Sequence, residues 1–151
     1  MDHEILVSTF HEVVQTLRQR AGHIALFLLN ALDTENTSWN ILISTDAYDQ
    51  MTIKTALNDF MTILTRHVEP DVLKNILRVT ILKSSDPFVK AANRTFDVTE
   101  TPQYVYACTL ANVYIERGVL FESQTPPSAP KKPSVKTSRR RKKGSPVVPV
   151  P

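Results

Sequence analysis

An α+β domain, with one mixed or mostly antiparallel sheet covered by helices, is what the apolar patterning of residues 1–123 predicts, and three observations carry it. Two apolar runs, HIALFLLNAL (23–32) and WNILIS (39–44), lie only six polar residues apart. The stretch 49–67 repeats its apolar residues at the helical period of about 3.6. Two aromatic, β-branched runs, QYVYACTL and VYIERGVLF, are separated by Ala111 and Asn112 alone.

The elements follow in order. In residues 4–20, Leu6, Phe10, Val13, Val14 and Leu17 fall on one helical face, and Gly22 stands where such a helix stops. HIALFLLNAL is apolar almost throughout, as expected of a central strand covered on both faces. The short link DTENTS suits an antiparallel hairpin into WNILIS. From about Asp49 to His67, Ile53, Ala56, Leu57, Phe60, Met61 and Leu64 share a face, and Glu69 and Pro70 end that helix. A shorter helix through Val72 to Leu77 precedes a third strand, RVTILK, from Arg78 to Lys83. Ser85 or Asp86 can cap a helix that begins at Pro87, where a missing amide costs nothing, and that runs to about Asn93. The aromatic pair closes the chain as a hairpin, giving the order α-β-β-α-α-β-α-β-β.

The last 28 of 151 residues differ in kind. Residues 124–151 hold seven of the ten prolines, no aromatic and no acidic residue, so the domain boundary falls near Glu122 to Gln124. They also hold eight of the 18 basic residues: Lys131, Lys132, Lys136, Arg139, Arg140, Arg141, Lys142 and Lys143. The net charge of +3 therefore divides into a +8 tail and a body with 10 basic against 15 acidic residues, a formal −5. A tail with so little apolar mass cannot offset its conformational entropy and is expected to be disordered, with polyproline-like stretches. Its charges attract polyanions, with strong salt dependence and no base selectivity, since no aromatic is interleaved to stack on bases. A fold-back on the acidic body, docking on a partner, and, in a eukaryotic cell, nuclear import are the competing uses of the same run.

Taken together, WNILIS with its following amphipathic helix, RVTILKSSDPFVKAANRTF and NVYIERGVLF are similar to a group of small bacterial α/β proteins that share a strand, an aspartate-proline helix start and a final hairpin. The resemblance covers residues 23–122, implies a bacterial cytoplasmic origin and carries no activity, so no functional residue is transferred through it.

Chemistry is sparse. Asp46 and Asp49 follow the second strand and Asp86 the third. Were those strands parallel, their carboxyl ends would share an edge and the three carboxylates could hold a divalent cation for hydrolase or nuclease chemistry. The plainer reading makes each aspartate a helix cap. His3, His11, His23 and His67 lack the i, i+4 spacing of a metal pair, and the single Cys108 allows neither an intrachain disulfide nor a cysteine zinc set. Strict alternation places Tyr104, Tyr106 and Cys108 on one strand face. Three glycines, Gly22, Gly118 and Gly144, do not make a phosphate-cradling loop or a nucleophile elbow. The N-terminus lacks a basic leader and the longest apolar run, residues 24–29, is too short to cross a bilayer. These readings converge on a small, cytoplasmic, non-enzymatic interaction protein without a cofactor or bound metal, taking a protein partner through its body and nucleic acid or another polyanion through its tail. Self-association through an exposed sheet edge is a further expectation.

Overall fold

The computed structural model describes residues 3–35 and 37–125, and the expectations for residues 126–151 lie outside them. The order is α1 (His3–Ala21), β1 (Ile24–Ala31), β2 (Trp39–Thr45), α2 (Asp46–Asp49), α3 (Ile53–His67), α4 (Pro70–Leu73), β3 (Ile76–Ile81), α5 (Pro87–Thr95), β4 (Gln103–Leu110) and β5 (Val113–Ser123). The strands form one mixed sheet in the order β3-β2-β1-β5-β4, parallel between β2 and β3 and antiparallel elsewhere. This is the α+β architecture expected from the patterning. The short link after β1 forces an antiparallel return, whereas the helical passage from β2 to β3 is long enough for a crossover to a parallel neighbour.

β1 lies at the centre because its apolar residues serve both faces. Phe27 and Leu29 join Ile41, Ile43, Val119 and Phe121 under α1 and α3, where Phe10, Leu17, Phe60 and Leu64 close the larger core. Leu26 and Leu28 join Leu120, Val105 and Ile115 under Phe88, Val89 and Ala92 of α5 on the other face. The larger core holds a phenylalanine cluster: Phe27 stands 6.0 Å from Phe60, 5.9 Å from Phe121 and 6.4 Å from Phe10, ring centre to ring centre.

Gly22, with φ at 79°, ends α1 as its sequence position indicated, its amide bonded to the Arg18 carbonyl. Two helix assignments need correction. The helix expected from about Asp49 begins only at Ile53, after Thr52, whose hydroxyl accepts from the Thr55 amide at 3.1 Å; Asp49 instead ends α2, a separate turn begun by Thr45, whose hydroxyl accepts from the Tyr48 amide at 3.1 Å. Threonine satisfies amides best just outside a helix, so the Thr52 cap sets the start of α3 about four residues later than apolar spacing places it. The helix expected over 72–77 is instead Pro70–Leu73, and β3 begins two residues before Arg78. Proline presets the first turn at residue 70, while pairing with β2, including Trp39 opposite Ile76 and the Trp39 amide on the Asn75 carbonyl at 2.8 Å, draws Ile76 and Leu77 into the sheet.

The β4–β5 turn is Ala111–Asn112 as read, with φ of 50° and 70°, the sign pair of a type I′ hairpin turn. Left-handed backbone costs an alanine about 1–2 kcal/mol, and a glycine's greater unfolded-state freedom returns about 0.5–1 kcal/mol of any relief. Ala111→Gly is therefore expected to raise the unfolding free energy by about 0.5–1 kcal/mol, read from the urea midpoint. A lowered midpoint would refute the left-handed assignment.

Candidate functional site

The hairpin gathers the exposed aromatic residues of the domain. β5 pairs with β1 only from Gly118 to Ser123, so its first half and the facing part of β4 extend as a two-stranded ribbon. Gly118 is needed at the base, since a Cβ there would stand 3.0 Å from the Leu29 carbonyl oxygen and 3.1 Å from Leu28 Cδ1. Arg117 secures the ribbon by donating from Nη2 to the Asp33 carbonyl at 2.7 Å.

Which side chains share a face is set by an irregularity that alternation does not foresee. Val105 and Cys108, three residues apart, both pack toward the core under α5. The change of parity falls at Ala107, whose φ of 48° is left-handed inside the strand. Cys108 is thereby turned away from Tyr104 and Tyr106, correcting the expectation of one shared face, and is half-buried beside Leu110 and Ile115. Thr109 takes the opposite face, and its cross-strand partner is Tyr114. The outcome is a stripe of Tyr104, Tyr106 and Tyr114, with exposures of 44%, 65% and 58%. Tyr114 is the member that sequence reasoning missed, because only the turn register together with the parity change brings it into line. Tyrosine presents a rigid apolar ring with a polar tip, a combination enriched where proteins bind one another.

The carboxyl edge of β2 and β3 is the second place to weigh. The strands are parallel, as the cation-site reading required, with Asp46 and Asp49 after one and Asp86 after the other. Their surroundings divide them. Asp86 caps α5, accepting from the Phe88 amide at 2.8 Å. Asp49 accepts from the Ser84 amide at 2.9 Å and from the Ser84 hydroxyl, while its own carbonyl takes Lys83 Nζ at 2.7 Å, so it staples α2 to the loop after β3. Asp46 opens α2 behind the cap Thr45. Capping thus holds for Asp86, whereas at the other two positions threonines perform it. Among the described residues, no group of three or more His, Cys, Asp or Glu side chains is placed to hold a metal ion. His23 bonds the Gln124 carbonyl at 3.1 Å and His67 the Thr16 hydroxyl at 3.3 Å, His11 is exposed, and the His3 side chain is outside the described set.

Two ion pairs position the helices around this frame. Arg20 donates to Asp59 Oδ1 through Nε at 2.8 Å and Nη2 at 2.5 Å, and the buried Tyr48 hydroxyl donates to Asp59 Oδ2 at 2.7 Å, joining α1, α2 and α3. The Arg20 hydrogen bonds hold the Asp59 carboxyl below the usual aspartate range, and burial holds the Tyr48 phenol far above its own. Nearer the end of β5, Glu122 is 1% exposed and bonded by Arg18 Nη2 and Gln124 Nε2; Arg18 Nη2 also reaches the Thr99 carbonyl at 3.0 Å. Burial raises the Glu122 carboxyl above the usual glutamate range in spite of Arg18.

The eight basic residues from Lys131 to Lys143 fall outside the described residues. No described helix is long and apolar enough to cross a membrane. Comparison of the chain with protein-family models, with curated proteins and with solved structures gives no match.

Proposed function

We propose that this is a non-enzymatic interaction protein, in which the acidic body engages a protein partner through the β4–β5 ribbon and the basic tail adds nonspecific affinity for nucleic acid or another polyanion. The observation that carries the reading is the tyrosine stripe on an edge hairpin: three exposed rings on one face of β4 and β5, β4 being the edge strand of the sheet among the described residues. Buried aromatic anchors supply most of the energy at protein interfaces, and an open strand edge offers a partner a ladder to extend.

Two measurements test its halves. Affinity capture from the source cells with the whole chain and with a Tyr106→Ser/Tyr114→Ser variant of equal thermal midpoint should return proteins depleted about tenfold by the variant; identical captured sets would overturn the partner surface. For the tail, duplex DNA affinity is measured against salt with the whole chain and with the charges at 139–143 neutralised. Each phosphate neutralised contributes about −0.9 to the log–log slope, so removing five charges is expected to flatten the slope by up to about 4.5 units. An unchanged slope would remove the tail from polyanion binding.

The hydrolase reading with Asp46, Asp49 and Asp86 has the parallel β2–β3 pair in its favour, and it requires Asp49 to exchange Ser84 for a cation. Calorimetric titration with Mg²⁺ and Mn²⁺ separates it from the interaction reading, heat of binding lost in Asp49→Asn being its signature.

A further inference from the structure

β3 closes the sheet at the end opposite the tyrosine ribbon, and among the described residues no strand lies beyond it. A groove of about 360 Å³ runs along this edge, lined by Leu57, Met61 and Leu64 of α3 and by Ile76, Leu77 and Val79 of β3, with Arg78 as the one charged residue of its lining. Two successive strand residues, Ile76 and Leu77, reach it because the pairing with β2 skips Leu77: Trp39 lies opposite Ile76 and Asn40 opposite Arg78. Bulges commonly protect a sheet edge by twisting it away from other chains. Here the bulge presents Leu77, 64% exposed and the most exposed aliphatic side chain among the described residues. The edge is open along its backbone as well. The Leu82 amide bonds the Ile43 carbonyl at 2.9 Å, so the alternation of the strand turns the N–H and C=O of Val79 and Ile81 away from β2.

We infer that the occupant of this edge is β3 of a second copy of the chain, the two strands running antiparallel about a two-fold axis through Thr80. The sequence ILRVTILK, residues 76–83, complements itself in that register. Val79 meets Ile81 of the second copy at both positions, which joins the outward backbone groups of the two strands. Thr80 meets Thr80, a favourable cross-strand pair. Arg78 falls opposite Leu82 and Lys83 opposite Leu77, so the cations of the strand meet apolar residues and no like charges face each other. An axis perpendicular to the sheet keeps both α3 helices on one face, where Leu57, Met61 and Leu77 of the two copies close the groove between them. Such a contact uses the same patch on each chain and stops at two. β4, the other edge strand among the described residues, suits a ladder of this kind less well, since the left-handed Ala107 interrupts its alternation. The inference gives the expected self-association a definite edge, and it does not rest on the tyrosine stripe at the far end of the sheet.

Sedimentation equilibrium of the whole chain, from about 1 μM to about 1 mM, is expected to reach the mass of two chains and to go no higher. Leu77→Lys sets lysine against Lys83 at both ends of the ladder, and should weaken the dimer about a hundredfold, about tenfold for each copy. Leu77→Glu, opposite the same lysine, should weaken it far less, a difference that lost apolar surface alone does not produce. Leu77 is exposed in the single chain, so both variants should keep its far-ultraviolet circular dichroism. Thr80→Cys in a Cys108→Ser background gives a reading independent of these variants. At the axis the two Cα atoms stand about 4.5 Å apart, within disulfide range, and mild oxidation should link most of the protein into dimers. One chain's mass at every concentration, a dimer indifferent to Leu77→Lys, or a Thr80→Cys chain that stays unlinked overturns the assignment. A mass that climbs past two chains, as addition of β3 to β4 would give, equally overturns it.

Discussion

Phe27→Ala is expected to remove about 3–5 kcal/mol of unfolding free energy, about a fifth or more of the whole for an ordinary domain. Phe27 is fully buried at the centre of the sheet, and its ring meets Phe10, Phe60 and Phe121. Truncation therefore opens a cavity bounded by α1, α3 and β5 at once, and rigid elements on three sides leave little room for collapse. The edge-on contacts with Phe60 and Phe121 add about 0.5–1.5 kcal/mol each beyond area burial. Phe27→Leu, which keeps most of the volume, should cost appreciably less. Guanidinium denaturation with an unchanged slope is the measurement, and a loss below about 1.5 kcal/mol for the alanine variant would contradict the assigned centre of the core.

Arg18→Leu should cost about 2–3 kcal/mol near pH 8, less than for a fully buried pair because the Arg18 side chain is 34% exposed, and for a different reason. Its removal strands the Glu122 carboxylate, 1% exposed, with Gln124 as its remaining bonded side chain. The dependence on pH identifies the cause. Burial raises the Glu122 carboxyl in the folded chain above its unfolded value, so the folded state binds the proton more tightly. Its stabilising contribution is full below the ordinary glutamate value and is lost as pH rises through the folded one. Loss of Arg18 extends that window upward, and the variant should recover most of its deficit on acidification. Adding Glu122→Gln should restore much of the loss at neutral pH, and Glu122→Gln alone should flatten the profile in that window without lowering stability. A pH-independent deficit, or one not relieved by the double substitution, would show that Arg18 acts through packing alone. Asp59 behaves in the opposite sense: Arg20 holds its carboxyl low, so its contribution is present above the ordinary aspartate value and lost as pH falls through the folded one.

Much of this architecture is legible in short windows of sequence. The alternation of apolar residues in 4–20 and 53–64 marks helices because contacts three and four residues apart decide which side chains share a helical face. The unbroken apolar runs of β1 and β2 mark buried strands for a comparably local reason. Gly22 and the pair Asp86–Pro87 are read correctly because caps act within one turn. The same locality explains the errors. Thr52 resembles an ordinary polar residue of a helical stretch until its hydroxyl caps α3, and Ile76–Leu77 pass for helix until β2 pairs with them.

The candidate site shows the division more sharply. The tyrosines at 104 and 106 and the turn at 111–112 are visible in the sequence, but Ala107 carries no mark of its left-handed backbone, so neither the departure of Cys108 nor the arrival of Tyr114 can be read from spacing. Glu122 looks like the polar end of a strand, and its burial depends on Arg18, 104 positions away in the chain. By itself the sequence determined the types and order of the main elements, the turn of the final hairpin and the division between acidic body and basic tail, because these depend on near neighbours and on composition. The tertiary structure alone decided the parallel pairing of β2 and β3, the insertion of β5 between β1 and β4, the tyrosine stripe and the pairing of half-exposed Arg18 with buried Glu122. Each of these is a contact between distant segments whose free energy exists only once the sheet has brought them together.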